Sequence, residues 1–303
     1  MEGNQTSSAP EGARPAWVDD GLFPFRSRFV TLDGHTVHYV DEGSGPTLLM
    51  LHGNPTWSFL YREVIKRLSD RFRCVAVDYP GFGLSRAAPG YRSRPEDHAR
   101  VVADLIPLLD LNDVTVVVQD WGGPIGVHAA ARNRDRIAAL VVGNSWAWPV
   151  NGDPHYEIFS KVMGGPLGRA LIRRYNIFVT LMVPAGHRLR KPTPAEMAHY
   201  REALPDAARR RGTSVFPRSI TGARSFLAST ERDLSVLRDL PALVLWADRD
   251  TAFRTKERER WEQALPNHRT VILPGVGHFL QTDAPDEFSD AIAAWHPLLK
   301  EDR

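Results

Sequence analysis

Residues 116–126, VVVQDWGGPIG, read as an apolar strand that runs through a sharp turn into a helix, with Asp120 and Trp121 at the turn. A side chain there sits at the head of a helix, where unpaired backbone N–H groups and the helix dipole favour negative charge. An aspartate in that place stays ionised, and an ionised carboxylate is a competent nucleophile toward saturated carbon. Attack leaves an alkyl ester, and water activated by a histidine can cleave that ester at its carbonyl and restore the acid. His278, within GVGHFLQTDAP (275–285), is the candidate base, and WADRD (246–250) offers two acids to orient it, Asp248 and Asp250. A group leaving carbon as an anion needs donors and no proton. An indole N–H only donates and a carboxamide offers an N–H pair, so Trp121 and Asn54, in HGNPTWS (52–58), are the candidate donors. Bonds of this kind to a charged acceptor contribute roughly 1.5–3 kcal/mol each. The plain alternatives are an Asp120 that caps the following helix and a Trp121 that packs as an ordinary aromatic.

These residues need a frame that brings four distant positions together. Short β-type runs stand at 28–32, 35–43 and 47–53, the second with period-2 alternation. Continuous apolar runs follow at 73–80, 114–120, 138–144, 242–250 and 269–275. Helical spacing of apolar residues marks 58–68, 95–110 and 121–133. Continuous apolar strands alternating with helices specify a mostly parallel sheet covered on both faces, here with an antiparallel start. Reactive groups collect at the carboxyl ends of such strands, where Asn54, Asp120, Asp250 and His278 all fall, together with His52, Asp78 and Asn144. From 146 to 228 the rhythm breaks into amphipathic helical pieces interrupted by Pro and Gly. That interval is expected to cap the carboxyl edge of the sheet, with the RRR run at 209–211 as part of its solvated face. The expected division is a polar disordered tail over 1–16, a core over 17–145 and 229–303, and the cap between them.

In order and spacing, HGNPTWS (52–58), DYPGFGLS (78–85), QDWGG (119–123), LWADRD (245–250) and GVGHFLQTDAP (275–285) together resemble the haloalkane dehalogenases of the α/β-hydrolase superfamily. The likeness runs from HTVHYVDEG (35–43) to the last helix. It implies an α/β-hydrolase fold with an eight-stranded, mostly parallel sheet flanked by helices and a helical cap after strand six. It implies hydrolysis of a carbon–halogen bond in a small haloalkane to alcohol, halide and a proton, with no metal and no organic cofactor. In that scheme Asp120 attacks, His278 activates water, and Asn54 and Trp121 hold the halide while their backbone N–H groups form the oxyanion hole. The family pattern Gly-x-x-Asp after strand seven, with Ala247 in the Gly place, makes Asp250 the acid and leaves Asp248 as a turn residue. Other members carry a glutamate after strand six, where this chain has Ser145. The chain departs from the small-x-nucleophile-x-small elbow at Val118.

Two further readings compete. An epoxide hydrolase uses a similar elbow but needs proton donors for a departing alkoxide, for which the cap offers Tyr156, Tyr175 and Tyr200. A non-catalytic hydrolase-fold protein would bind a ligand, but such proteins typically lose a triad member. Five other histidines, His35, His38, His155, His187 and His199, are scattered and read as structural or exposed, and His52 as an organiser of its own loop. Trp146, Trp148, Phe178 and Leu181 are candidate pocket walls. A net charge of +2, from 38 basic and 36 acidic residues, leaves no basic footprint for nucleic acid. The single cysteine, Cys74, forms no internal disulfide and no metal spacing. With no apolar run near the roughly 18 residues of a membrane span and no secretory leader, the expected setting is cytoplasmic. The expected partners are haloalkane, water and halide, with neither nucleic acid nor membrane.

Overall fold

The computed structural model describes residues 14–296, so of the expected tail only residues 14–16 lie within it. The eight apolar runs are eight strands: β1 Arg28–Leu32, β2 His35–Glu42, β3 Thr47–Leu51, β4 Arg73–Val77, β5 Val114–Asp120, β6 Ile137–Ser145, β7 Ala242–Ala247 and β8 His268–Leu273. They form one sheet in the order β1-β2-β4-β3-β5-β6-β7-β8. β2 runs antiparallel to both β1 and β4, and the other pairings are parallel. The helices follow as α1 Arg62–Leu68, α2 Pro95–Leu108, α3 Gly122–Arg132, α4 Pro154–Gly164, α5 Pro166–Tyr175 and α6 Val183–Gly186. After these come α7 Pro194–Glu202, α8 Arg211–Gly222, α9 Arg224–Leu237, α10 Thr255–Ala264, α11 Leu280–Asp283 and α12 Pro285–Trp295.

Successive strand residues point to opposite faces, and this alternation divides the core into two layers. Leu48, Met50, Val117, Val141 and Leu243 pack with α1 and α12. Leu49, Leu51, Val116, Leu140 and Val244 pack with α2, α3, α9 and α10. Because both faces are covered, β3, β6 and β7 are buried along their whole length, which is why their sequences read as continuous apolar runs. No helix among the described residues is long and apolar enough to cross a membrane.

Four strands stop two or three residues short of the sequence expectation, at Leu51, Val77, Ala247 and Leu273 instead of 53, 80, 250 and 275. Beyond the ends of β3 and β4, side chains bond the backbone of the loops. The Asp78 carboxylate accepts from the N–H groups of Ser58 at 2.7 Å and Leu84 at 2.8 Å. It also lies 2.7 Å from His38 Nδ1 with both side chains buried. His52 Nδ1 lies 2.8 Å from its own loop's Gly53 carbonyl.

α4 to α8 lie between β6 and β7, over the carboxyl edge. α9 runs through position 228, where the cap was expected to end, and packs on α3 of the core. Of the RRR run, expected as a solvated face, only Arg211 is exposed. Arg209 is half-buried and donates to the carbonyls of Ser85 at 2.7 Å and Gly83 at 2.6 Å, and Arg210 donates to Leu204 O at 2.8 Å. A second tie joins Arg62 of α1 to Glu196 of α7, which also receives Arg190 at 2.8 and 2.9 Å. The guanidinium pair holds the Glu196 carboxyl down to about 2, against the burial that would raise it.

Val118, the residue that breaks the small-residue elbow pattern, is accommodated one turn into α3. A Cβ on Gly126 would come within 2.6 Å of Val118 Cγ1 and 3.1 Å of Leu51 Cδ1. Gly126→Ala should therefore destabilise the fold by about 1–3 kcal/mol, despite alanine's better helix propensity. Val118→Ala in the same chain should restore part of that loss. Urea unfolding of the two single variants and the double variant tests this, and equal losses with and without Val118 would show that the contact is not responsible.

Candidate active site

β5 ends at Asp120, whose backbone lies in the left-handed region at φ 50°. For a residue with a Cβ this conformation is uncommon and costs energy, so the surroundings must hold it. They do so by close approach. A Cβ on Gly53 would collide with the Asp120 carboxylate, on Gly122 with the Leu51 carbonyl, and on Gly123 with Ser145 Oγ. Ser145 Oγ donates to the Asp120 carbonyl at 2.6 Å, locking the turn from β6. Asn54 N–H donates to Asp120 Oδ1 at 2.8 Å, and the Trp121 backbone N–H also bonds the carboxylate. Burial nonetheless lifts the Asp120 carboxyl above the usual carboxylate range, opposed by the nearby His278 and by those two N–H groups.

His278 follows β8 and faces Asp120 with Nε2 3.9 Å from Oδ2. Its Nδ1 lies 2.9 Å from Asp250 Oδ2. A carboxylate only accepts, so Nδ1 carries the hydrogen and Nε2 presents a lone pair. Asp250 also accepts from Asn144 Nδ2 at 2.9 Å and from Ala252 N–H at 2.7 Å. Asn144 is itself tied to β7, accepting from Ala247 N–H at 2.7 Å and donating to Ala247 O at 3.1 Å. Asp248, the other acid of the motif, is exposed and accepts from Gly275 N–H at 2.7 Å. Burial favours the neutral imidazole, but the Asp250 and Asp120 charges outweigh it and hold His278 above an ordinary histidine.

Asp120, Trp121, Asn54, His278 and Asp250 all line one cavity of about 390 Å³ beneath the cap. Its other walls are mostly apolar and include Trp146, Phe178, Phe159, Phe253 and Ile220. Trp148 instead packs in the core against Trp261, and Leu181 is exposed. Trp121 stands edge-on to Trp146 at 4.6 Å, and no acceptor among the described residues takes its Nε1–H. The Asn54 carboxamide makes one long bond, Nδ2 to Thr213 O at 3.4 Å. The site thus combines a largely buried carboxylate, an imidazole whose Nε2 faces it, and donors set in apolar walls. Among the described residues no group of His, Cys, Asp or Glu could hold a metal ion.

Residues 46–285 match the family described as alpha/beta hydrolase fold. Over 276 residues the chain is 45% identical to haloalkane dehalogenase 2 of Mycobacterium tuberculosis (strain ATCC 25618 / H37Rv), covering 90% of this chain and 96% of that one. The chain belongs to the haloalkane dehalogenase family. The crystal structure of an ancestral haloalkane dehalogenase matches it with a TM-score of 0.81 at 30% identity, over 90% of this chain and 99% of that one. A relative with a different name, the cis-3-alkyl-4-alkyloxetan-2-one decarboxylase of Shewanella oneidensis, is 30% identical over 284 residues, 88% of this chain and 87% of that one.

Two residues that sequence reasoning left without a role stand in this dehalogenase-type site. Asn144 braces Asp250, and its place at the end of an apolar strand was the available signal. Gln119 lies beside His278, with its Nε2 2.9 Å from the imidazole Nε2. Nothing in the order QDWGG tells that residue 119 reaches residue 278.

The electrostatics carry a sign that can be measured. Asp250 raises the proton affinity of His278, so Asp250→Asn should lower its titration midpoint by more than one pH unit. Histidine NMR titration of the two proteins checks this, and an unchanged midpoint would remove Asp250 as the cause.

Proposed function

We propose that this chain hydrolyses carbon–halogen bonds of small haloalkanes in the cytoplasm, through a covalent ester on Asp120. Asp120 Oδ attacks the halogen-bearing carbon, a C–O bond forms as the C–X bond breaks, and the electron pair leaves with the halide. The Trp121 indole N–H and the Asn54 carboxamide receive that charge. Water then gives a proton to His278 Nε2 while its oxygen adds to the Asp120 carboxyl carbon. The resulting oxyanion is held by the Asn54 and Trp121 backbone N–H groups. Collapse expels the alkoxide, which takes the proton from His278 and departs as alcohol, and Asp120, left as the carboxylic acid, releases its proton to solvent. Asp250 keeps the ring oriented and balances the transient imidazolium. The single observation that carries this reading is an elbow carboxylate beside an indole N–H that no acceptor among the described residues takes, in an apolar cavity.

The site is poorly furnished for epoxide opening. Of the three cap tyrosines only Tyr156 lines the cavity. Its hydroxyl is shut off from open space on the side of Glu257. Tyr175 is exposed, and Tyr200 is buried against Phe59. A second reading follows from the oxetanone-named relative. Opening a strained oxetan-2-one at its ring carbon expels a carboxylate, which would need the same donors as a halide.

Halide release from 1,2-dibromoethane or 1-bromobutane is the expected activity, with no diol from styrene oxide. Diol alone would overturn the proposal, and alkene and carbon dioxide from a dialkyl oxetan-2-one without halide release would favour the second reading. His278→Ala should trap the alkyl group, seen as a mass increase on the peptide carrying Asp120. Trp121→Phe should slow ester formation by about 10- to 150-fold, the kinetic equivalent of one donor bond to a charge. In the wild type, lowering the pH through the His278 titration protonates the base and stalls the second step. A stoichiometric halide burst should then precede slow turnover, and a loss of turnover without a burst would assign the pH limb to Asp120.

A further inference from the structure

The proposed mechanism leaves Gln119 unused, although its side chain makes the closest polar contact to the nitrogen that must take a proton. Gln119 is buried in β5, immediately before Asp120. Its Nε2 is 2.9 Å from His278 Nε2 and 3.2 Å from the His278 carbonyl oxygen. A carbonyl only accepts, so this end of the carboxamide is the NH2 group, and its two hydrogens serve two acceptors of the same histidine. The other end, Oε1, is buried with no hydrogen-bond partner among the described residues.

We propose that Gln119 is a positioning residue that holds the neutral form of His278, by donating to the lone pair that later takes the proton of the hydrolytic water. The proposal rests on the ester mechanism above, but the contact itself does not depend on any substrate. With the ring neutral, both N–H groups of Gln119 are satisfied. Once Nε2 is protonated, an N–H faces an N–H, and that contact disfavours the imidazolium. The charged groups that face the ring act the other way: Asp250 on Nδ1 and Asp120 3.9 Å from Nε2 both favour a protonated base. From the cap, Arg188 lines the same cavity with an exposed side chain and adds positive charge. The rings of Phe253 and Phe279 complete the surroundings. Gln119 is therefore the neutral contact that keeps a histidine flanked by two carboxylates available as a base near neutral pH.

The same geometry has a kinetic cost. An imidazole nitrogen has one in-plane lone pair, so the water that attacks the ester must displace the Gln119 N–H to reach it. The exchange conserves hydrogen bonds: Nε2 gives up an amide donor and gains a water donor. Gln119 should thus slow proton transfer slightly at high pH while extending it to lower pH.

Two substitutions separate this from simple packing. Gln119→Met keeps the length without a donor, and Gln119→Glu is isosteric but puts an acceptor against Nε2. In the free protein, histidine NMR should show the His278 midpoint rising by about one pH unit in Q119M, as expected for one lost hydrogen bond, and further in Q119E. In single-turnover experiments with 1-bromobutane, the acid limb of ester hydrolysis should move up in the same order. A midpoint that stays in place in both variants, or a uniform loss of rate at every pH with the limb unmoved, would overturn the proposal. If the wild type releases no halide, the dehalogenase mechanism falls while the NMR midpoints still decide the role of Gln119.

Discussion

The structure depends on one strained residue. Asp120 occupies a left-handed backbone conformation at the end of a central strand, a state that aspartate tolerates better than most residues with a Cβ but that still costs energy. It is held because three glycines let backbone and side chains come flush against the turn, while Ser145 fixes its carbonyl from the neighbouring strand. The same close approach delivers the Asn54 and Trp121 amides to the carboxylate. Strain and reactivity therefore share a cause. The turn that lifts the carboxylate out of the sheet is also the turn that surrounds it with donors.

Around that point the charges are arranged in series. Two carboxylates flank one imidazole, each braced separately: Asp120 by backbone amides, Asp250 by Asn144 and the Ala252 amide. The braces matter because both acids are largely withdrawn from water, where unsatisfied lone pairs would be costly. Asp248, two residues earlier, has no such setting and stays a surface turn residue.

Much of this frame was legible in the sequence because it follows from periodicity and burial. All eight strands and the helical interval after β6 were visible as apolar runs and their interruption. The strand ends were not: the apolar stretches were read on through the polar residues at 52–53, 78–80 and 248–250, whereas the ladder pairings stop at Leu51, Val77 and Ala247. The character of Arg209 was also hidden: three consecutive arginines look solvated, and only the packing of the cap reveals that one of them seats on the carbonyls of Gly83 and Ser85. Gln119 was beyond reach for the same reason. Its partner lies 159 residues away, and no local pattern encodes such a pairing.

The interposed cap also orders events during synthesis. Asp120 and the Asn54 and Trp121 amides that bond it lie before the end of β6, whereas Asp250 and His278 lie beyond the whole helical segment. A chain growing from its N-terminus therefore makes Asp120 long before it makes His278. During that interval β6, buried along all nine of its residues in the finished fold, has an open edge awaiting β7. The last quarter of the polypeptide therefore closes the sheet, through β7 and β8, and brings Asp250 and His278 up to Asp120.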